Sequence, residues 1–254
     1  MVKKLLFIGA ISALISACGG GESSVSSTST TTFTAISIFS DDALAGGVGR
    51  GTGSDGVEIY YIAPDIVNDV ALSNASPVQQ VDVTDFPIIA VQNGYNIRQG
   101  TQSGSNVIVA EKVGSGKAQI AYIYNATQDA IGAGTTRPSS LPTGSHTYTG
   151  VYGVLNRGSD WRETGTLSLT ANFNANTFSI NASSTDTSLT GSGIIEPSTG
   201  RISGGSLNFS DAVLGNYSAT TYGNIGETNG TEVTGIFHTN DTAPDFSGAY
   251  AGSR

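Results

Sequence analysis

One cysteine in 254 residues leaves no partner for an intrachain disulfide, so packing alone has to hold the fold. Charge is scarce as well: 12% of the residues are charged, with 20 acidic against 11 basic side chains and a net charge of −9. A chain so poor in lysine and arginine is badly suited to nucleic acid, where phosphate neutralisation dominates affinity. It also lacks a polybasic patch for anionic lipid. The only histidines are His146 and His238. Without clustered cysteines or carboxylates beside them they make a weak set for a metal or haem. Apolar runs are short, and the one at Leu5 to Ala17 falls well below the roughly 20 residues a bilayer-spanning helix needs.

Catalytic motifs are missing too. No Gly-x-Ser-x-Gly elbow is present. The "GSGK" at 114–117 lacks the earlier glycine and the following Ser/Thr of a phosphate loop. The glycine-rich "GGVGRGTGSDG" (46–56) does not fit Gly-x-Gly-x-x-Gly before a helix and reads as a flexible loop. Asp160 and Glu163 could be imagined as a glycosidase pair, but flanking Arg157 and Arg162 give them the look of a charge-balanced loop. Asp241 and Asp245 flank Pro244 in turn-like sequence. No enzyme and no cofactor is expected.

What is present begins at the N-terminus. Lys3 and Lys4 precede the apolar run, and Ser16 and Ala17 precede Cys18, the layout of an export signal over residues 1–17. Ile15-Ser16-Ala17-Cys18 resembles the lipobox of bacterial lipoproteins, which implies cleavage before Cys18 and lipid on its sulfur and amine. A thiolate is the nucleophile that accepts such a lipid, and several acyl chains on one residue anchor stably where one is marginal. By the same resemblance, Gly19 and the absence of aspartate just after it imply passage to the outer membrane. Loss of residues 1–17 removes Lys3 and Lys4, leaving nine basic and 20 acidic side chains. "ESSVSSTSTTT" (22–32) is too polar and simple to pack and reads as a tether, with residues 18–33 forming anchor and tether together.

The rest reads as β structure rich in turns, with 34 glycines, ten tyrosines and nine phenylalanines. Residues 34–126 hold short strand-like runs at 56–63, 86–93, 106–113 and 117–125, with "KVGSGK" (112–117) as a hairpin connection. They predict a small antiparallel β domain. "ATQDAIGAGTTRPSSLPTGS" has no alternating pattern, so 127–145 is assigned to a linker. From 146 to 254 the pattern sharpens. In "GTLSLTANF" (165–173), Leu167, Leu169, Ala171 and Phe173 share one face and hydroxyls the other. "NANT" reads as a turn into "FSINAS". Further runs at 146–156, 188–195, 201–209, 217–223, 231–238 and 245–251 bring the total to eight strands, enough to close a barrel and remove its edges. A two-sheet sandwich is the alternative. Gly204-Gly205 interrupts the alternation as a bulge or barrel corner would.

Three stretches in this last segment resemble the β-barrel domain of the transferrin-binding protein B family of Gram-negative surface lipoproteins. They are "GTLSLTANF…NTFSI", "LTGSGIIEPSTGRISGG" (189–205) and "VTGIFHTNDTAPDFSGAYAGSR" (233–254). The residues that carry the likeness are Gly165, Phe173, Gly191, Gly193, Gly235, Phe237 and Gly248. His238-Thr239 stands where the family usually has an aromatic followed by glycine. The resemblance implies an all-β chain, a handle-like β domain followed by an eight-stranded antiparallel barrel. It further implies a lipid-anchored, cell-surface protein of the outer membrane whose barrel loops capture a host or environmental protein, an iron carrier, or haem. Trp161, the only tryptophan, and Tyr152 are the candidate contact residues. The competing reading is a structural or shielding lipoprotein with no dedicated ligand.

Overall fold

A computed structural model describes residues 43–52, 58–63, 86–102, 104–115, 117–124, 128–136, 138–156, 162–240 and 245–254. The export signal, Cys18, the tether, Asp160, Trp161 and Asp241 lie outside the described residues. Among the described residues there is no α-helix, only a single 3-10 turn at Thr228–Gly230.

Seven strands precede the barrel: β1 (Ala43–Thr52), β2 (Glu58–Ala63), β3 (Ile88–Gln92), β4 (Tyr95–Gln102), β5 (Ser105–Lys112), β6 (Lys117–Tyr124) and β7 (Gln128–Thr136). They form one antiparallel sheet in the order β2-β1-β7-β6-β5-β4-β3. The expected runs became β2, β3, β5 and β6, and "KVGSGK" does connect a hairpin, with Gly114 at φ +79. Two expectations need correction. The supposed flexible loop at 46–56 is largely β1, and residues 128–136 of the supposed linker are β7. Both strands are glycine-rich and lack alternation, so neither shows a strand signal on its own. Each is interior to the sheet, where paired neighbours impose the extended backbone. The barrel makes room for the sheet at Gly226, where a side chain would run into Thr135 of β7.

The barrel follows the sequence pattern closely. Its strands are β8 (Ser145–Asn156), β9 (Arg162–Asn172), β10 (Thr177–Ser183), β11 (Thr187–Ile195), β12 (Arg201–Asp211), β13 (Gly215–Gly226), β14 (Glu232–Thr239) and β15 (Phe246–Ser253). All neighbours are antiparallel, and β15 pairs with β8 to close the cylinder, so the sandwich alternative is excluded. Inward residues alternate strictly where the outer face meets water, as in β10 (Thr177, Ser179, Asn181 and Ser183 out; Phe178, Ile180 and Ala182 in). β14 is buried along its whole length because the sheet covers its outer face. The bulge forms where Gly204 (φ +61) and Gly205 (φ +127) break the register of β12.

The interior is filled by side chains. Tyr148, Tyr152, Phe178, Phe209, Phe237, Phe246 and Tyr250 are all fully buried there. The rings of Phe209 and Phe246 lie 4.5 Å apart, and Phe209 is 5.8 Å from Phe237. Burial of each such ring contributes roughly 1.5–3 kcal/mol. Four of the motif glycines have a common explanation. Gly165, Gly193, Gly235 and Gly248 are the direct cross-strand partners of Tyr152, Phe178, Tyr250 and Phe237, and each gives its space to that ring. Gly191 instead adopts φ +147, and Phe173 packs against the core from a half-buried position.

Candidate functional site

Four connections gather at one end of the barrel: β8 to β9, β10 to β11, β12 to β13 and β14 to β15. This loop end carries the exposed chemistry that the sequence reading sought, but on different residues.

Tyr152 has to be moved from the surface to the core. It points into the barrel, stacks 5.9 Å from Phe237 and hydrogen-bonds through its hydroxyl to Thr187 Oγ1. Burial raises its pKa to about 12. The physical reason is register: Tyr152 pairs with Gly165, and the same strand face carries the interior Tyr148. The Tyr148–Tyr152 strand therefore offers no aromatic patch to a ligand. Trp161 lies outside the described residues.

Glu163, imagined as half of a glycosidase pair, does structural work. Its Oε1 accepts the backbone N–H of Asp186 at 2.8 Å and its Oε2 accepts Thr187 Oγ1 at 3.0 Å. A carboxylate held by two donors in a turn is an acceptor already in use. The two histidines sit at opposite ends of the barrel. His146 accepts from Arg254 Nη1 at Nδ1 (3.0 Å) and donates from Nε2 to Thr143 O (2.9 Å). His238 is 8% exposed, under the sheet, and donates from Nδ1 to Thr239 O. No group of three or more potential metal ligands occurs among the described residues.

The residue pair that the sequence reading missed is Val213-Leu214, at the tip of the β12–β13 hairpin. Val213 is 86% exposed and Leu214 53%. Asp211 Oδ1 accepts both of their backbone N–H groups, at 2.8 and 2.7 Å. Ala212 N–H donates to Asp186 O at 2.9 Å, tying the tip to the neighbouring turn. Tyr217 OH reaches Leu214 O at 3.4 Å. Two aliphatic side chains thus stand in water on a backbone that is fully braced. Such preorganisation lowers the entropy lost when a partner covers them. Asp186 is exposed at this end, while the carboxylates of Glu163 and Asp211 are taken up by donors in its turns. In sequence, "SDAVLGN" differs little from strand residues, and only the Asp two positions before an apolar pair in a turn marks it.

By sequence the chain matches no protein-family profile and none of the curated proteins. By fold it matches solved structures. The isotype 1 transferrin-binding protein B of serogroup B Neisseria meningitidis aligns over 83% of this chain with a TM-score of 0.50 at 14% identity. A transferrin-binding protein B variant from Haemophilus parasuis aligns over 83% with a TM-score of 0.50 at 9% identity. A structure described as a surface lipoprotein aligns over 85% of this chain and 99% of its own, with a TM-score of 0.47 at 12% identity. The chain spans 43% and 45% of the first two proteins, less than half of each. It is an all-β protein with a sheet followed by a closed barrel. More particularly, it has the fold of the matched part of transferrin-binding protein B.

Proposed function

We propose that this chain is a non-enzymatic surface lipoprotein of a Gram-negative outer membrane, anchored through lipid on Cys18, that captures a partner through the loop end of its barrel. The observation that carries the reading is the braced, solvent-exposed Val213-Leu214 tip. An exposed apolar pair on a preorganised backbone loses little conformational freedom when a partner covers it, so its burial is realised as affinity. The excess of 20 acidic over nine basic side chains from Cys18 onward favours a partner with a basic rim around an apolar pocket. Trp161 is the proposed second contact. An iron carrier of the transferrin kind is the first ligand to test, because the matched folds carry that name, and haem the second.

The test is calorimetry of the full chain in detergent against iron-loaded transferrin and, separately, haem. Val213→Ser combined with Leu214→Ser is expected to weaken binding at least about tenfold with an unchanged unfolding midpoint. Binding of neither probe removes the nutrient-capture reading and leaves the shielding lipoprotein as the alternative. Anchoring is tested independently. Cys18→Ser should abolish acyl labelling and release the chain from membranes, and external protease should remove the barrel from intact cells only if it is displayed outside.

A further inference from the structure

The sheet and the barrel meet through two unlike kinds of contact. At one corner the contact is polar and directional. Lys112 at the end of β5, Gln119 on β6 and Thr135 on β7 all converge on the carboxylate of Glu232, which begins β14 and is 4% exposed. Lys112 Nζ lies 2.7 Å from Oε1, Thr135 Oγ1 donates to Oε2 at 3.1 Å, and Gln119 Nε2 also donates to Oε2. Tyr95 OH donates to Gln119 Oε1 at 2.6 Å, and Asn93 Nδ2 donates to Gly150 O at 2.9 Å. A bulge makes this possible. Ala110 pairs with Ile120 and Glu111 with Ala118, so Gln119 is the extra residue in β6, and the bulge re-aims its side chain at Glu232.

Away from that corner the contact is aliphatic and incomplete. A cavity of about 40 Å³ separates Ile108, Tyr122 and Ile131 of the sheet from Val151, Gly153 and Leu155 of β8. Ile108 lies four residues along β5 from Lys112, about 13 Å at the usual rise of a strand. β1 and β7 run against β13, β14 and β15, whereas β4 and β5 meet the barrel through the side chains of Tyr95, Ile97, Ala110 and Lys112 near one end of the strands. β3 is exposed on both faces for most of its length. The end of β4 and β5 at Tyr95 and Lys112 is clamped by polar bonds, and the cavity opens further along the same strands.

We infer that this junction is a hinge, with Glu232 as its pivot and the ends of β4 and β5 remote from Lys112 rocking over the β8–β9 wall. Smooth apolar surfaces resist separation but do not fix an angle, whereas three donors on one buried carboxylate do. Removal of the carboxylate's charge therefore frees the angle while the barrel core, which does not use Glu232, stays folded. The hinge does not depend on what the loop end binds.

The experiment is a pair of spin-label distance measurements on the full chain, with Cys18→Ser so that only introduced thiols react. Val113→Cys with Thr149→Cys spans the pivot, and Thr101→Cys with Thr166→Cys spans the gap. The gap pair is expected to give a distance distribution at least about twofold wider than the pivot pair. Glu232→Gln should widen the pivot pair to match, and Gly153→Ala, whose added methyl enters the cavity, should narrow the gap pair alone. Equal narrow distributions for both pairs would overturn the hinge. So would a Glu232→Gln protein that folds and leaves the pivot pair unchanged. Should Glu232→Gln fail to fold, Lys112→Gln takes its place with the same expected direction, and the Gly153→Ala measurement stands on its own.

Discussion

Phe237 on β14 covers Gly248 on β15, its direct partner across the strand pair, and a β-carbon at Gly248 would collide with the ring and with the carbonyl of Gly153. The ring cannot retreat, because Tyr152 and Phe209 pack within 6 Å of it. Gly248→Ala is therefore expected to lower stability by about 1–3 kcal/mol through overpacking. Denaturant unfolding monitored by tyrosine fluorescence checks this, and an unchanged midpoint would show that the barrel wall gives way more easily than the packing implies.

Gly153 on the same barrel is the opposite case. A β-carbon there would sit 3.7 Å from Ile131 Cδ1 and 4.0 Å from Glu163 O, at ordinary contact distance and inside the cavity under the sheet. Gly153→Ala should raise stability by about 0.5–1.5 kcal/mol, from a buried methyl and a less flexible unfolded chain. The readout is the urea midpoint, and a drop would mean the cavity is needed as it stands.

Burial raises the pKa of four tyrosines. Tyr148 and Tyr152 are each pushed up to about 12, and Tyr95 and Tyr250 are raised further in the same direction. For Tyr95 the nearby Glu232 charge adds to the burial effect. Tyr250 keeps a hydroxyl contact with Thr221 Oγ1 at 2.9 Å. In the unfolded chain these groups ionise near pH 10. Their contribution to stability is thus complete below about pH 10 and is lost as the pH climbs through the folded values. Absorbance of tyrosinate against pH should show these four ionising late, in step with loss of near-ultraviolet circular dichroism. A single smooth titration of all tyrosines in the folded protein would contradict it.

His238 works in the acid direction. Burial lowers its pKa, partly offset by the hydrogen bond it donates to Thr239 O. The unfolded chain takes up the proton first, so stability is complete above the free value near 6.5 and falls as the pH drops below it. His238→Tyr keeps a ring against Tyr222, which now stacks on the imidazole at 6.3 Å, and removes the titration. The wild-type midpoint should fall between roughly pH 8 and pH 5 by more than the variant's does. Equal slopes would place the acid sensitivity elsewhere.

The barrel was legible in the sequence because period-two alternation needs only local information. Leu167, Leu169 and Ala171 read inward on paper and are inward in space. β1 and β7 were not legible because Gly47, Gly49, Gly132 and Gly134 carry no pattern, and only their neighbours in the sheet make them strands. Tyr152 was misread for a related reason: an aromatic on a strand belongs to the face its register gives it, and a one-residue shift reverses the answer. The convergence of Lys112, Gln119 and Thr135 on Glu232 joins residues about 100 positions apart, and no local spacing announces it. The Val213-Leu214 tip was visible as letters but not as exposure.

The connection from β7 to β8 runs over residues 137–144, at most about 28 Å of chain. So short a leash keeps the sheet at a local concentration near the millimolar range beside its own barrel. A ruptured contact would reseat within the same molecule rather than trade partners with another. Only a cut in that leash would make reassembly depend on how much protein is in the tube.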